Sequence, residues 1–211
     1  MTADRGEEAA AVAGDGNGSG RGGRRASFAE RRERRAAIDD PTIVLEAAAR
    51  FLEPRARSVT EVRRRLTGAG YRPDLVEGAI TRMLELAMLD DEAFARAWIE
   101  SRDRARPRGE RAIRQELGLK GVDRSTVDLV LAERREAVAG LATDDGVTVS
   151  PDQAAAERLL ARNARTLARI VDPRQRRQRA YALLARNGFD PDVCRTVVAT
   201  VDGAGGAVDD E

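Results

Sequence analysis

The sequence predicts an all-α protein of three tandem three-helix repeats forming an elongated body, and three observations carry that expectation. Helix-start signals recur along the chain, strand signals are few with only 3% aromatic residues, and one apolar template appears three times. The start signals are explicit. Asp40-Pro41, Ser150-Pro151, Asp172-Pro173 and Asp190-Pro191 each set an N-cap acceptor before a proline at the first helical position, where the missing N–H costs nothing. Ser58-Val59-Thr60-Glu61 has the form of a capping box. Asp90-Asp91-Glu92 places acids at a helix start, where the macrodipole favours them.

Taken in order, residues 1–37 are rich in Gly, Ala, Arg and Glu without apolar periodicity and read as a disordered arm. Within it, Arg21 to Arg35 carries seven arginines against two glutamates, which suits either a loose hold on an anionic surface or a plain solvated arm. Repeat 1 spans 38–89, with a first helix over about 42–53 and a last helix striped by Leu75, Val76, Ala79, Ile80, Met83 and Leu84. Repeat 2 spans 90–143, opening on a helix over about 91–104 that carries Phe94, Trp98 and Ile99. Residues 144–149 read as a linker, 150–202 as repeat 3 with a first helix over about 151–170, and 203–211 as an acidic tail. The template itself is a middle helix ending near Leu66, Leu117 or Leu184, a glycine four residues on (Gly70, Gly121, Gly188), one apolar residue, and a third helix. Glycine there supplies the left-handed conformation that closes a helix without a Cβ penalty. Stacked units of this kind bury their faces against neighbours and build an elongated body.

Composition excludes more than it names. The chain has 37 basic and 36 acidic side chains, no histidine, one cysteine (Cys194) and one lysine (Lys120). That removes imidazole-dependent nucleophiles, HExxH zinc sites, CxxC pairs and multi-cysteine zinc sites. Lys120 is followed by Gly121, so no phosphate-cradling GxxxxGK[ST] loop is present. The expectation is a protein that is not an enzyme, with no catalytic residues, no cofactor and no metal. Its longest uncharged stretch, Ala137 to Thr143, is seven residues, against roughly 20 for a membrane span, so it reads as soluble and cytoplasmic.

The net charge of +1 hides an arrangement. Residues 55–65, 102–114 and 174–186, leading into and through each middle helix, sum to +4, +4 and +5, whereas the third helices over 74–88, 123–133 and 190–202 sum to −2 each. If the units stack in line, three basic patches lie along one side. Arginine grips phosphate and carboxylate bidentately, so a spaced series suits an extended polyanion or a repeating acidic protein surface; for any one arginine, a solvated helix face laced with ion pairs is the plainer reading. The candidate partner- or DNA-binding residues are Arg57, Arg63 and Arg64 in repeat 1, Arg102, Arg106, Arg108, Arg111, Arg114 and Lys120 in repeat 2, and Arg174, Arg176, Arg177 and Arg179 in repeat 3. A helix-turn-helix reader would carry its base-contacting residues on the last helix. Here that helix is acidic and apolar, which disfavours sequence-specific reading.

Four local features have a sharp reading and a plain one. Asp90, Asp91 and Glu92 read as helix capping rather than a metal cluster, since consecutive helical residues diverge. Phe94 and Trp98 read as core packing rather than base-stacking platforms, and Cys194 as a small buried hydrophobe. Lys120 suits the C-terminal end of a helix, yet arginine serves everywhere else, so a specific contact stays open.

Leu89-Asp90-Asp91-Glu92-Ala93-Phe94-Ala95-Arg96-Ala97-Trp98-Ile99-Glu100-Ser101-Arg102, followed by Ile113-Arg114-Gln115-Glu116-Leu117 and Lys120-Gly121-Val122, resembles the central signature of the RecX family of recombinase regulators. Arg57-Ser58 with Glu61-Val62 before it, and Leu184 with Asn187-Gly188-Phe189 after it, are similar too, so the likeness covers about 43–201. The resemblance implies three tandem three-helix repeats without catalytic activity. It also implies a monomer that binds the RecA recombinase filament on single-stranded DNA, itself touching that DNA weakly, and suppresses strand exchange, ATP hydrolysis and co-protease function. A nonspecific nucleic-acid-binding helical protein and a helical adapter for another partner are the alternatives. The third repeat departs in spacing by 16 residues, which leaves its angle to the others open.

Overall fold

The computed structural model describes residues 27–139 and 149–200, and among these it contains ten helices and no strand. They are α1 (Phe28–Ala36), α2 (Pro41–Leu52), α3 (Val59–Ala69), α4 (Pro73–Glu85), α5 (Asp91–Ala105), α6 (Glu110–Leu119), α7 (Arg124–Ala139), α8 (Pro151–Ala168), α9 (Pro173–Arg186) and α10 (Pro191–Ala199). Each cap expected from the sequence forms. Asp40, Asp172 and Asp190 accept the N–H of the residue two positions on, and Ser150 accepts that of Gln153. The Ser58–Glu61 capping box closes in both directions, and Asp90 accepts the Glu92 and Ala93 N–H groups.

Three separate apolar clusters follow the template. Val62, Leu66, Val76 and Ile80 sit in the first, Ile113, Leu117, Val127 and Leu131 in the second, and Ala180, Leu184, Cys194 and Val198 in the third. These twelve positions are in register across the repeat, and none is more than 7% exposed. Phe94 is buried and packs on the half-buried Trp98, with ring centroids 6.0 Å apart. Gly70, Gly121 and Gly188 hold φ of +103°, +76° and +81°, the left-handed region that glycine enters freely. The middle helices run two or three residues past the leucines that mark their apolar ends, to Ala69, Leu119 and Arg186.

The structure corrects the expected extent of the arm. Its sequence reads as disordered over residues 1–37, but Phe28–Ala36 forms α1. The reason is a capping box that apolar periodicity does not reveal: Ser27 accepts the Glu30 N–H and the Glu30 carboxylate accepts the Ser27 N–H. Arg35 then ties the helix to repeat 1, donating to the Ala69 carbonyl at 3.3 Å and lying 5.7 Å from the centre of the Tyr71 ring. The rest of the arm, nearly all of the expected linker and the acidic tail lie outside the described residues.

Candidate partner-binding surface

The surface is organised by one joint used twice. The first turn of α3 sits on the α6–α7 hairpin: Ser58 Oγ donates to the Lys120 carbonyl at 2.6 Å and Thr60 Oγ1 to the Gly121 carbonyl at 3.0 Å. The first turn of α6 sits in the same way on the α9–α10 hairpin, where the Gly109 N–H donates to the Asn187 carbonyl at 3.0 Å. Each joint also uses an aspartate from the start of the next unit. Asp91 accepts the Val59 N–H at 2.9 Å and Asp152 accepts the Glu110 N–H at 3.0 Å. Burial pushes both carboxyls up, against the pull of those amides. The middle helices α3, α6 and α9 therefore succeed one another through equivalent contacts.

Charged side chains lock each joint. Lys120 Nζ lies 3.0 Å from Glu61 and 4.6 Å from the centre of the Trp98 ring, which answers the question its sequence position leaves open. At the second joint Arg134, with its side chain 7% exposed, binds Asp103 at 2.8 Å and Asp152 at 2.7 Å.

Ion pairing divides the candidate residues. Arg63 forms a two-point bridge to Glu77 at 2.7 and 2.9 Å. Arg114 pairs with Asp128, the equivalent couple one repeat later. Arg102 binds Glu116 at 2.6 Å and stacks on Trp98, and Arg108 reaches Glu116 at 3.6 Å and Asn187 Oδ1 at 2.7 Å. Those four, with Lys120, are held by carboxylates of the protein. Arg57 lies 4.3 Å from the centre of the Phe51 ring, Arg64 donates to the Leu119 carbonyl, and Arg176 donates to the Ile170 and Val171 carbonyls. Arg106, Arg111, Arg174 and Arg179 are exposed and have no carboxylate within salt-bridge distance among the described residues; Arg177 is exposed as well.

Counting charge per helix does not find the acids that hold these arginines. Their signal is present in the spacing: Arg63–Glu77, Arg102–Glu116 and Arg114–Asp128 are each 14 residues apart, and the first and third pairs are equivalent positions of the repeat. In the third unit those positions hold Tyr181 and Arg195. The couple found in the first two units is thus not repeated at those positions of the third. The groove between α6 and α7, about 690 Å³, follows the same rule: Arg114 faces Asp128 and Arg135 binds Glu110 at 2.7 Å.

Asp90 is occupied as a cap, and among the described residues no group of three or more His, Cys, Asp or Glu is placed to hold a metal ion. Among those residues, too, no helix is long and apolar enough to cross a membrane.

Known proteins share this architecture. Residues 45–83, 90–131 and 151–198 match the family models for the first, second and third three-helix domains of RecX. The regulatory protein RecX of Mycolicibacterium vanbaalenii is 30% identical over 155 residues, covering 71% of this chain and 77% of that protein. That of Mycobacterium sp. strain JLS is 32% identical over 159 residues, covering 74% and 79%. The crystal structure of RecX from Lactobacillus salivarius superposes with a TM-score of 0.63 at 20% identity, over 78% of this chain and 97% of that one.

Proposed function

The chain belongs to the RecX family of regulatory proteins, and from that premise we propose that it binds a RecA recombinase filament on single-stranded DNA and restrains it. The protein acts as a non-catalytic cytoplasmic monomer, without cofactor or metal. It lies along the filament and lowers strand exchange, ATP hydrolysis and co-protease function by blocking growth or promoting disassembly.

One observation carries the reading. The same joint sets the middle helices in succession, and each unit presents arginines that no carboxylate holds among the described residues: Arg57 and Arg64, then Arg106 and Arg111, then Arg174 and Arg179. A guanidinium without an internal carboxylate partner is available to phosphate or to a partner's carboxylate. A set of them in each unit suits a polymer that repeats its acidic groups.

The test is a titration into RecA strand-exchange and ATPase reactions, with direct DNA binding measured across salt. Inhibition well below one protein per recombinase, undiminished by added free single-stranded DNA, supports filament binding. Inhibition that tracks DNA coverage and disappears when DNA is added would make the protein a nonspecific nucleic-acid binder instead.

A further inference from the structure

Where the first two units meet, a cavity of about 280 Å³ opens between the α2–α3 loop, the α4–α5 loop and the first turn of α5. Its walls are Leu52, Ala56, Met88, Ala93 and Phe94, with Arg57 as the one cation. Asp90 reaches its edge, but that carboxylate already accepts the Glu92 and Ala93 N–H groups. The volume lies just below the roughly 300–1,000 Å³ of small-molecule sites and suits a bulky side chain. The α4–α5 loop leaves apolar residues at the surface: Leu86 is 46% and Met88 47% exposed, on either side of Ala87, whose φ of +53° is strained for a residue with a side chain.

Arg57 is the unusual member of this site. Its Nε is the one buried side-chain nitrogen or oxygen without a hydrogen-bond partner among the described residues. The guanidinium lies 4.3 Å from the centre of the Phe51 ring, and that of Arg65 lies 5.6 Å from the same ring. The second unit shows what this arrangement lacks. Fifty-one residues later in the repeat, Arg57 corresponds to Arg108 and Arg65 to Glu116. Glu116 accepts from Arg102 at 2.6 Å and from Trp98 Nε1 at 2.8 Å, and its other oxygen lies 3.6 Å from Arg108. There, a ring and two guanidiniums gather round a carboxylate. In the first unit a ring and two guanidiniums gather without one, because the position that would supply it is Arg65.

We propose that an acidic segment of a partner protein docks here, a bulky apolar side chain filling the cavity and a neighbouring carboxylate bridging Arg57 and Arg65 as Glu116 bridges Arg102 and Arg108. Guanidiniums grip a carboxylate with charge-assisted hydrogen bonds, and one placed between two of them also relieves their mutual repulsion. The aliphatic rim of Leu86 and Met88 favours a peptide over a nucleic acid, whose bases stack on aromatic rings. The site is read from this chain's own residues and stands apart from the function proposed above.

NMR of the full-length chain tests it, with the capped peptide Glu-Asp-Leu-Asp-Glu as the probe. The peptide shifts the Met88 and Leu86 methyl signals and the Arg57 Nε–H, with half-saturation below about 1 mM. Replacing its leucine by alanine, or its acids by their amides, weakens binding by about tenfold or more. Arg65→Glu gives the first unit the carboxylate of the second, pairs with Arg57 and fills the seat from within, so peptide binding falls by about tenfold while the urea midpoint does not fall. Arg64→Glu, the same charge change one residue away, leaves binding within about twofold. Met88→Ala, at a half-exposed position, weakens binding without loss of the fold. A parent that ignores the peptide overturns the site, as does equal binding of the alanine peptide or equal loss from Arg64→Glu and Arg65→Glu. Shifts of these signals by a thymidine pentanucleotide but not by the peptide reject the protein partner in favour of nucleic acid.

Discussion

Lys120 Nζ bonds to Glu61 Oε1 at 3.0 Å across 59 residues of sequence, joining the middle helix of the first unit to the hairpin of the second. Burial alone would raise the Glu61 carboxyl; hydrogen bonds from Arg55, Lys120 and the Ser58 backbone overcome it and hold the pKa down at about 2, from an ordinary 4.5. A carboxyl depressed in the folded state stabilises the fold above its unfolded pKa and stops doing so as the pH falls through the folded value. Glu61 thus contributes fully above pH 4.5 and loses that contribution between there and about 2. In urea titrations across that window, Glu61→Gln flattens the fall in stability. Lys120→Met narrows it, and by NMR the Glu61 carboxyl then titrates at a higher pH than in the parent.

The second joint rests on a buried cation. Arg134 bonds to both Asp103 and Asp152, and the Asp152 carboxylate also holds the first N–H of α6. Arg134→Met leaves the 12%-exposed Asp152 carboxylate without its cation, and Asp103 with only Arg158 at 3.8 Å, at a cost of about 3–5 kcal/mol. Arg135→Met breaks an equally short bridge, Arg135 to Glu110, but that guanidinium is 49% exposed, and surface pairs of this kind contribute about 0–1 kcal/mol. Chemical denaturation of the two variants separates them; equal losses mean the joint is not organised around Arg134.

Two glycines near the ends of equivalent middle helices have opposite expected responses. Gly188 holds φ of +81° and a methyl group there meets Ala112, so Gly188→Ala is strained and crowded and destabilises by about 1–3 kcal/mol. Gly118 lies inside α6 with nothing within 4 Å of an added Cβ, and Gly118→Ala stabilises by about 0.5–1 kcal/mol. Thermal melts of the two variants move in opposite directions.

Most of the fold is legible because it is written in local rules repeated three times. Asp-Pro and Ser-Pro fix helix starts within one residue, and a glycine four residues after Leu66, Leu117 or Leu184 fixes each hairpin, so errors at one copy are corrected by the others. Helix α1 escapes because its nine residues bury no side chain, leaving only the Ser27–Glu30 box to signal it. The surface is less legible. Charge summed along one helix does not register a carboxylate on the next, so Arg63 and Arg114 read as free cations although Glu77 and Asp128 hold them. The joints are hidden for a related reason: Asp91 and Asp152 look like ordinary helix-start acids, and only the packing of successive units turns them toward Val59 and Glu110.

That distinction between held and unheld arginines gives the function its sharpest test. Arg63→Ala/Arg114→Ala and Arg174→Ala/Arg179→Ala remove the same two charges, so any effect of bulk charge is equal for both. The first pair is bonded to Glu77 and Asp128, whereas the second faces solvent without a carboxylate partner among the described residues. If the unheld arginines bind the partner, Arg174→Ala/Arg179→Ala raises the concentration needed for half-inhibition of RecA-driven strand exchange by about tenfold or more, which corresponds to roughly 1.4 kcal/mol of binding. Arg63→Ala/Arg114→Ala costs some stability, read by urea denaturation, but leaves inhibition within about twofold at temperatures where the protein is folded. The salt dependence then identifies what the arginines touch. Each phosphate that the variant no longer neutralises lowers the slope of log affinity against log salt by about 0.7 on single-stranded DNA, so a weaker slope in Arg174→Ala/Arg179→Ala points to DNA phosphate. An unchanged DNA slope with weakened inhibition points to carboxylates on the recombinase. Equal loss of inhibition in the two double variants rejects the assignment, because it makes a paired arginine as useful to the partner as an unpaired one.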